Sequence, residues 1–243
     1  MNIIIDIGNT RTKLAVFDQN SLVEAEAVEG SPLKSIQALT ARLPIEAGIV
    51  SSVAEVAGDV VAALAELPFA VLPFTPATPV PIANGYHTPA TLGSDRLAAA
   101  VGAAWLYQGS YVLIVDAGSC VTFDVVDSTG RYVGGNIAPG INMRLVAMHE
   151  HTRRLPLVGT SGDTPAIGYD TETALRAGAV VGLQHEIEGY VSSLSRTSDN
   201  LKVVLTGGDC ESLHPDVAVP VYIEHNLVAY GLNRVLLYNK NLA

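Results

Sequence analysis

Basic residues are scarce in this chain: 14 Lys and Arg stand against 24 Asp and Glu, a formal charge of -10. Such a surface repels a phosphate backbone over most of its area, which excludes a general nucleic-acid binder. Cysteine is nearly absent. Cys120 and Cys210 are too few for a disulfide framework and are not spaced as a zinc site, so a reducing compartment, the cytoplasm, is expected. No apolar run reaches the ~18 residues of a membrane span. Met1 leads into Asn2-Ile3-Ile4-Ile5-Asp6 without the basic start of an export signal, so the chain reads as soluble and unprocessed, with no membrane partner. Low-complexity and linker-like segments are missing too. What the chain has in plenty is apolar surface: 49% of its 243 residues are hydrophobic and only 16% charged, enough to bury a sizeable core in one or two domains.

The first segment, Ile3-Ile4-Ile5-Asp6-Ile7-Gly8-Asn9-Thr10, is a β-branched run that stops at Asp and Gly, as a buried strand entering a tight turn does. Thr12 to Asp18 alternates and reads as the returning strand of a hairpin. The glycine thus lies between two strands, whereas a dinucleotide or P-loop glycine turn opens a helix. The same pattern recurs 110 residues later, from Leu113 through Asp116-Ala117-Gly118-Ser119-Cys120 to Asp127. At that offset Asp6 matches Asp116, Gly8 matches Gly118 and Thr12 matches Thr122. An internal duplication follows, with two similar α/β halves whose Asp-x-Gly loops could face each other across a cleft.

Between the loops, Ala47 to Val53 reads as a strand and Val56 to Leu67 as a helix. Five prolines between Leu72 and Pro89 make that stretch an extended connection. Gly93-Ser94-Asp95-Arg96 leads into an alanine-rich helix to Leu106, packed closely on its neighbours, which Ser94 or Asp95 could cap. Gly134 to Gly140 reads as a glycine-rich turn before a helix from about Ile141. Glu172 to Leu194 reads as a further helix, with Gly178 and Gly182 allowing close packing. Lys202 to Thr206 is a strand ending in Gly207-Gly208-Asp209.

These turns have a common chemistry. Gly8 and Gly118 let a phosphate chain approach the backbone, and Asn9, Thr10 and Ser119 add neutral donors beside exposed amides. Asp6 and Asp116 cannot attract phosphate directly but can hold the cations that neutralise it. Lys13 supplies a positive charge nearby. The Thr206-Gly207-Gly208-Asp209 turn could let an adenine ring lie flat against backbone.

Taken in order, Asp6-Ile7-Gly8-Asn9-Thr10 with Lys13, Gly93-Ser94-Asp95-Arg96, Asp116-Ala117-Gly118-Ser119 with Thr122 and Asp124, Gly134 to Gly140, and Thr206 to Asp209 resemble the type III pantothenate kinases. These belong to the acetate and sugar kinase, Hsp70 and actin superfamily, and the resemblance spans nearly the whole chain. It implies two duplicated actin-like (ribonuclease H-like) α/β halves, residues 1–110 and 111–243, with a nucleotide cleft between them. It also implies transfer of the ATP γ-phosphoryl group to the primary hydroxyl of pantothenate, giving 4'-phosphopantothenate in the first step of coenzyme A synthesis.

By that resemblance the ATP-phosphate loop is Asp6, Ile7, Gly8, Asn9, Thr10, Arg11, Thr12 and Lys13, joined by Ser119, where family members often carry Thr. Gly93, Ser94, Asp95 and Arg96 are the pantothenate site. Asp95 is the proton acceptor, and Arg96 grips the substrate carboxylate through paired hydrogen bonds. Tyr86 and Thr171 are further pantothenate contacts. Asp116 is the ligand of a monovalent cation, K⁺ or NH₄⁺, and Asp6 the residue that holds Mg²⁺, through water or directly. The family completes its site across a homodimer. Asp170, where the family usually shows Asn, serves equally well as a plain helix cap.

Two other readings stay open from the residues themselves: a phosphotransferase or phosphohydrolase with another substrate, and a non-catalytic regulatory relative that binds nucleotide. Retention of Asp6, Lys13, Asp95 and Asp116 argues for chemistry. Elsewhere the expectation is structural. His149 and His151 are read as solvated, as are Arg144, Arg153 and Arg154, and Cys120 is read as a small buried side chain at a strand start.

Overall fold

The computed structural model describes residues 1–8, 10–52 and 58–242. Asn9 of the first loop, Val53 of the expected strand, and Val56 and Ala57 of the expected helix lie outside the described residues. In chain order the elements are β1 (Asn2–Ile7), β2 (Thr12–Asp18), β3 (Ser21–Val28), α1 (Leu33–Arg42), β4 (Ala47–Ser52), α2 (Gly58–Ala65) and β5 (Val71–Pro73). They continue with α3 (Ser94–Leu106), β6 (Tyr111–Ala117), β7 (Cys120–Val126), β8 (Tyr132–Pro139), α4 (Ile141–Glu150), α5 (Thr171–Leu194), β9 (Leu201–Thr206), β10 (Val221–Ile223) and α6 (Leu227–Lys240).

The first sheet has strand order β3-β2-β1-β4-β5 and the second β10-β9-β6-β7-β8, so each strand of one has its counterpart in the other. In each, the central strand pairs antiparallel with the next strand of its hairpin and parallel with a later one: β1 with β2 and β4, β6 with β7 and β9. This shared topology is the expected duplication. Its register differs by one residue from the constant-offset match. Four residues separate the paired Ile7 and Thr12, three separate Ala117 and Val121, so Lys13 stands opposite Asp6 while Thr122 stands opposite Asp116. The tighter second turn makes Thr122 the counterpart of Lys13 rather than of Thr12.

By close contact the described chain forms two compact units, one of residues 1–108, 129–133 and 226–243, the other of 109–128 and 134–225. In the first, Ile3 and Ile5 of β1 pack with Leu14, Val16, Ile36 and Leu39. The opposite face of β1 meets α6, which also packs on α3, so β1 is covered on both sides and reads as an unbroken apolar run. In the second, Leu113, Val115, Val203 and Leu205 build a core with Leu183 and Ile187 of α5.

Four readings need correction. Gly134 to Pro139 is strand β8 at the edge of the second sheet, not a turn, because an edge strand tolerates glycines that a central one would not. Among the described residues Gly178 and Gly182 mediate no packing: a Cβ on either would meet open space. Cys120 is exposed and Cys210 is the buried one. Arg144 is held against Glu186 by two hydrogen bonds of 2.6 and 2.8 Å, with a third to the Pro139 carbonyl. It is therefore a clasp between α4 and α5 rather than a solvated charge.

Candidate functional site

In the first unit the sheet register sets the carboxylate of Asp6 beside two neighbours, Lys13 on β2 and Ser51 on β4. Directly opposed residues project to one face, so the three side chains share it. Asp6 and Lys13 are half-buried, and Lys13 forms no ion pair among the described residues. Past β1 the backbone turns through Gly8, whose N–H donates to the Arg11 carbonyl at 3.2 Å. Ile7 is half-buried, Thr10 and Arg11 are exposed, and Thr12 points into the core.

Ser51 is a residue that the sequence did not single out. It is fully buried, and its hydroxyl donates to that of Ser94 at 3.1 Å, joining the end of β4 to the first residue of α3. A signal existed in the chain, since β4 and β9 both end on hydroxyls. Asp116 pairs with Thr206 just as Asp6 pairs with Ser51.

Gly93, not Ser94 or Asp95, occupies the cap position of α3. The Asp95 carboxylate folds back over the helix start, where Oδ1 accepts the Arg96 N–H at 2.8 Å. Among the described residues Oδ2 accepts nothing. A Cβ at position 93 would lie 2.6 Å from Oδ1, so glycine there is what leaves the carboxylate its place. Arg96 is buried, with its guanidinium carbon 5.7 Å from the centre of the Tyr86 ring. That ring is set by its own strap: the Tyr86 N–H donates to Asn84 Oδ1, the Gly85 N–H to the Tyr132 carbonyl, and the Tyr132 N–H to the Ala83 carbonyl. An arginine stacked on an aromatic face keeps a planar fork of donors in one orientation. The fold thus sets Tyr86 against Arg96, beside Ser94 and Asp95, as the resemblance implied.

In the second unit three of the glycine turns converge on one loop. The Gly118 N–H donates to the Cys120 carbonyl at 3.0 Å, and the Gly140 N–H, at the start of α4, to the Ser119 carbonyl at 3.2 Å. Gly207 takes φ +90°, and a Cβ there would lie 2.5 Å from Asp116 Oδ1. Only glycine permits both that dihedral angle and that approach. The Asp209 N–H closes the arrangement on the Ala117 carbonyl. Gly208 has open space before it, and Ser119 is exposed.

The Asp116 carboxylate, Thr206 opposite it in the register and the Ala117 carbonyl at the Gly207 turn offer hard oxygens. Such a set suits a monovalent cation or Mg²⁺ rather than a soft metal. Among the described residues no group of three or more His, Cys, Asp or Glu is placed to hold a metal. A divalent ion at Asp6 would therefore take most of its ligands from substrate phosphate and water.

Thr171 is exposed on the first turn of α5, and no hydrogen bond joins it to the Asp116 loop. Its neighbours are well fixed. Asp170 caps α5: its carboxylate accepts the Thr173 N–H at 2.8 Å, and the Thr173 hydroxyl meets the Asp170 N–H at 3.1 Å. The Thr173 N–H and hydroxyl hold the Asp170 carboxyl below its ordinary range. The Tyr169 hydroxyl donates to Asp163, and that hydrogen bond, followed by the charge of the carboxylate, pushes the phenol up.

The family description that matches residues 2–193 is that of the type III pantothenate kinases. A type III pantothenate kinase from Phocaeicola vulgatus is 44% identical over 242 residues, all of both chains. Among solved structures, one titled as a "conserved putative Baf family transcriptional activator" from Campylobacter jejuni has a TM-score of 0.63 at 22% identity, over 98% of this chain and 99% of that one. An inorganic polyphosphate/ATP-glucomannokinase from Arthrobacter sp. strain KM has a TM-score of 0.50 at 15% identity, over 99% and 98%. At such identities the two structures speak for the fold alone, paired α/β units of the actin-like ATPase and sugar-kinase type.

Proposed function

The chain belongs to the type III pantothenate kinase family, and from that premise we propose that it phosphorylates pantothenate with ATP, yielding 4'-phosphopantothenate and ADP for coenzyme A synthesis. The observation that carries the acceptor assignment is the α3 start, where a carboxylate with one uncommitted oxygen stands next to a buried arginine stacked on Tyr86.

In this reading Arg96 binds the pantothenate carboxylate, with Tyr86 and Thr171 against the rest of the molecule, and Gly93 and Ser94 shape the approach. Asp95 orients the primary hydroxyl. The hydroxyl oxygen forms a bond to the γ-phosphorus as the bond from phosphorus to the β,γ-bridging oxygen breaks. The hydroxyl proton passes to Asp95 Oδ2, and ADP departs with the bridging electrons. Such transfers need mainly alignment and charge neutralisation. The loop from Asp6 through Gly8, Asn9, Thr10, Arg11 and Thr12 to Lys13, with Ser119, cradles the phosphates by backbone N–H groups, hydroxyls and the ammonium group. Mg²⁺ at Asp6 and K⁺ or NH₄⁺ at Asp116 would supply positive charge to the transferring phosphoryl group when bound. The open backbone at Gly208 gives the adenine a flat surface.

A homodimer belongs to the same reading, and the open glycine faces of α5 leave room for a second copy. So does a cytoplasmic setting, supported by the two free thiols.

The test is ADP release from ATP and Mg²⁺, with and without pantothenate, in Na⁺ buffer and again in K⁺ or NH₄⁺. Release that needs pantothenate and rises with K⁺ is expected. Release independent of pantothenate under every cation would overturn the acceptor, and nucleotide binding without turnover would turn the reading to a regulatory relative.

A further inference from the structure

A cavity of about 330 Å³ opens within the first unit, walled by the 81–83 connection, the C-terminal half of α3, the turn at Gly130 and one residue of α6. Its size is that of a small-molecule site. Ile82, Val101 and Ala104 make the apolar part, Trp105 the flat part, and Gln108 and Arg234 the polar edge. None of the lining residues is acidic. Asp95 begins α3, whereas Trp105 lies ten residues on, about 15 Å along the helix at its usual rise, so the Trp105 wall stands apart from the Asp95 carboxylate, while Ala83 is shared with the strap that sets Tyr86.

Arg234 is its only charge. The guanidinium carbon lies 5.4 Å from the centre of the Trp105 ring, and one nitrogen donates to Asn20 at 2.8 Å. Among the described residues Arg234 forms no ion pair, although the chain has ten more acidic than basic residues. Stacking on indole holds the planar fork in one orientation and leaves donors for a carboxylate. An aromatic wall, an apolar floor and one uncompensated guanidinium select a flat apolar body that carries a single negative charge.

We propose that this cavity is a second small-molecule site, separate from the reacting centre, that takes aromatic monocarboxylates, with the ring against Trp105 and the carboxylate on Arg234. The proposal rests on the first unit alone and stands whatever the reaction proves to be.

Trp105 is the only tryptophan in the chain, so its emission reports on the aromatic wall of this cavity, whose ring also lies 5.9 Å from that of Tyr230. The full-length protein is titrated with benzoate, with benzamide as the uncharged analogue and acetate as the ringless one. The expected result is a saturable change with benzoate and at least tenfold weaker responses to the other two. Arg234→Gln should weaken benzoate at least tenfold. Gln108→Glu, at an exposed position that leaves folding alone, should do the same by repulsion. The thermal midpoint, measured on each variant, shows separately that the molecule is folded. No saturable response, equal binding of benzamide, or undiminished benzoate binding in Gln108→Glu would each overturn the assignment.

Discussion

Asp95 occupies a place that a helix start creates. Its carboxylate accepts the Arg96 N–H, which leaves one oxygen for the substrate hydroxyl, and Gly93 keeps the space clear. Replacing Asp95 with Asn preserves the shape and removes the proton acceptor. Turnover of Asp95→Asn should fall about 10²–10⁴-fold, the range that a positioned base contributes, with ATP affinity unchanged by calorimetry. Undiminished kcat would remove Asp95 from the mechanism. The hydrogen-bond link from Ser51 to Ser94 shows why a neighbouring residue escaped notice: a serine at a strand end has no distinguishing context until the fold sets it against α3.

At the scale of the element, helices α3 and α6 meet backbone to backbone. A Cβ on Gly231 would fall inside the Ala98 carbonyl, so the two backbones meet with nothing between them. Gly231→Ala should cost about 1–3 kcal/mol or more by overpacking, read as a lower urea midpoint with unchanged slope. Helix α5 depends instead on its cap. Because the native Asp170 carboxyl titrates below its ordinary value of 3.8, its contribution is fully present above that value and disappears as pH falls through the lowered native one. Asp170→Ala should therefore lower Tm by about 2–4 °C at pH 7, and the difference from the parent should narrow once the pH is taken below 3.8. Asp170→Asn keeps the cap oxygen but has no group to titrate, so its Tm relative to Asp170→Ala should not vary with pH. Thermal melts at both pH values decide it.

At the scale of the whole molecule, the chain returns to where it began. The buried side chains of Asn2 and Asn233 hydrogen-bond at 3.0 Å across 231 residues, and Asn233 also donates to the Gln19 carbonyl at 2.7 Å, in the turn between β2 and β3. The last helix is thereby part of the first unit. Asn233→Ala leaves buried polar groups without partners and should cost about 1–3 kcal/mol, with most of that loss absent when Asn2→Ala is already present. Additive losses in that double-mutant cycle would show that the two asparagines are not coupled.

Local chemistry made much of this legible from the residues alone. β-Branched runs ending in Asp-x-Gly marked both hairpins, the prolines marked the connection from Leu72 to Pro89, and Asp170 marked the start of α5, because each depends on neighbours within a few positions. The ordered motifs also carried the family, which the similarity over the whole chain bears out. What depended on distant partners was not legible. The one-residue difference between the hairpins, the strand at Gly134 to Pro139, the exposure of Cys120 and the clasp of Arg144 on Glu186 follow from sheet register and from contacts between elements. So does the pairing of Tyr86 with Arg96, and so does the return of α6 to β1. Periodicity reports which face of an element is apolar; only the tertiary structure decides what that face meets.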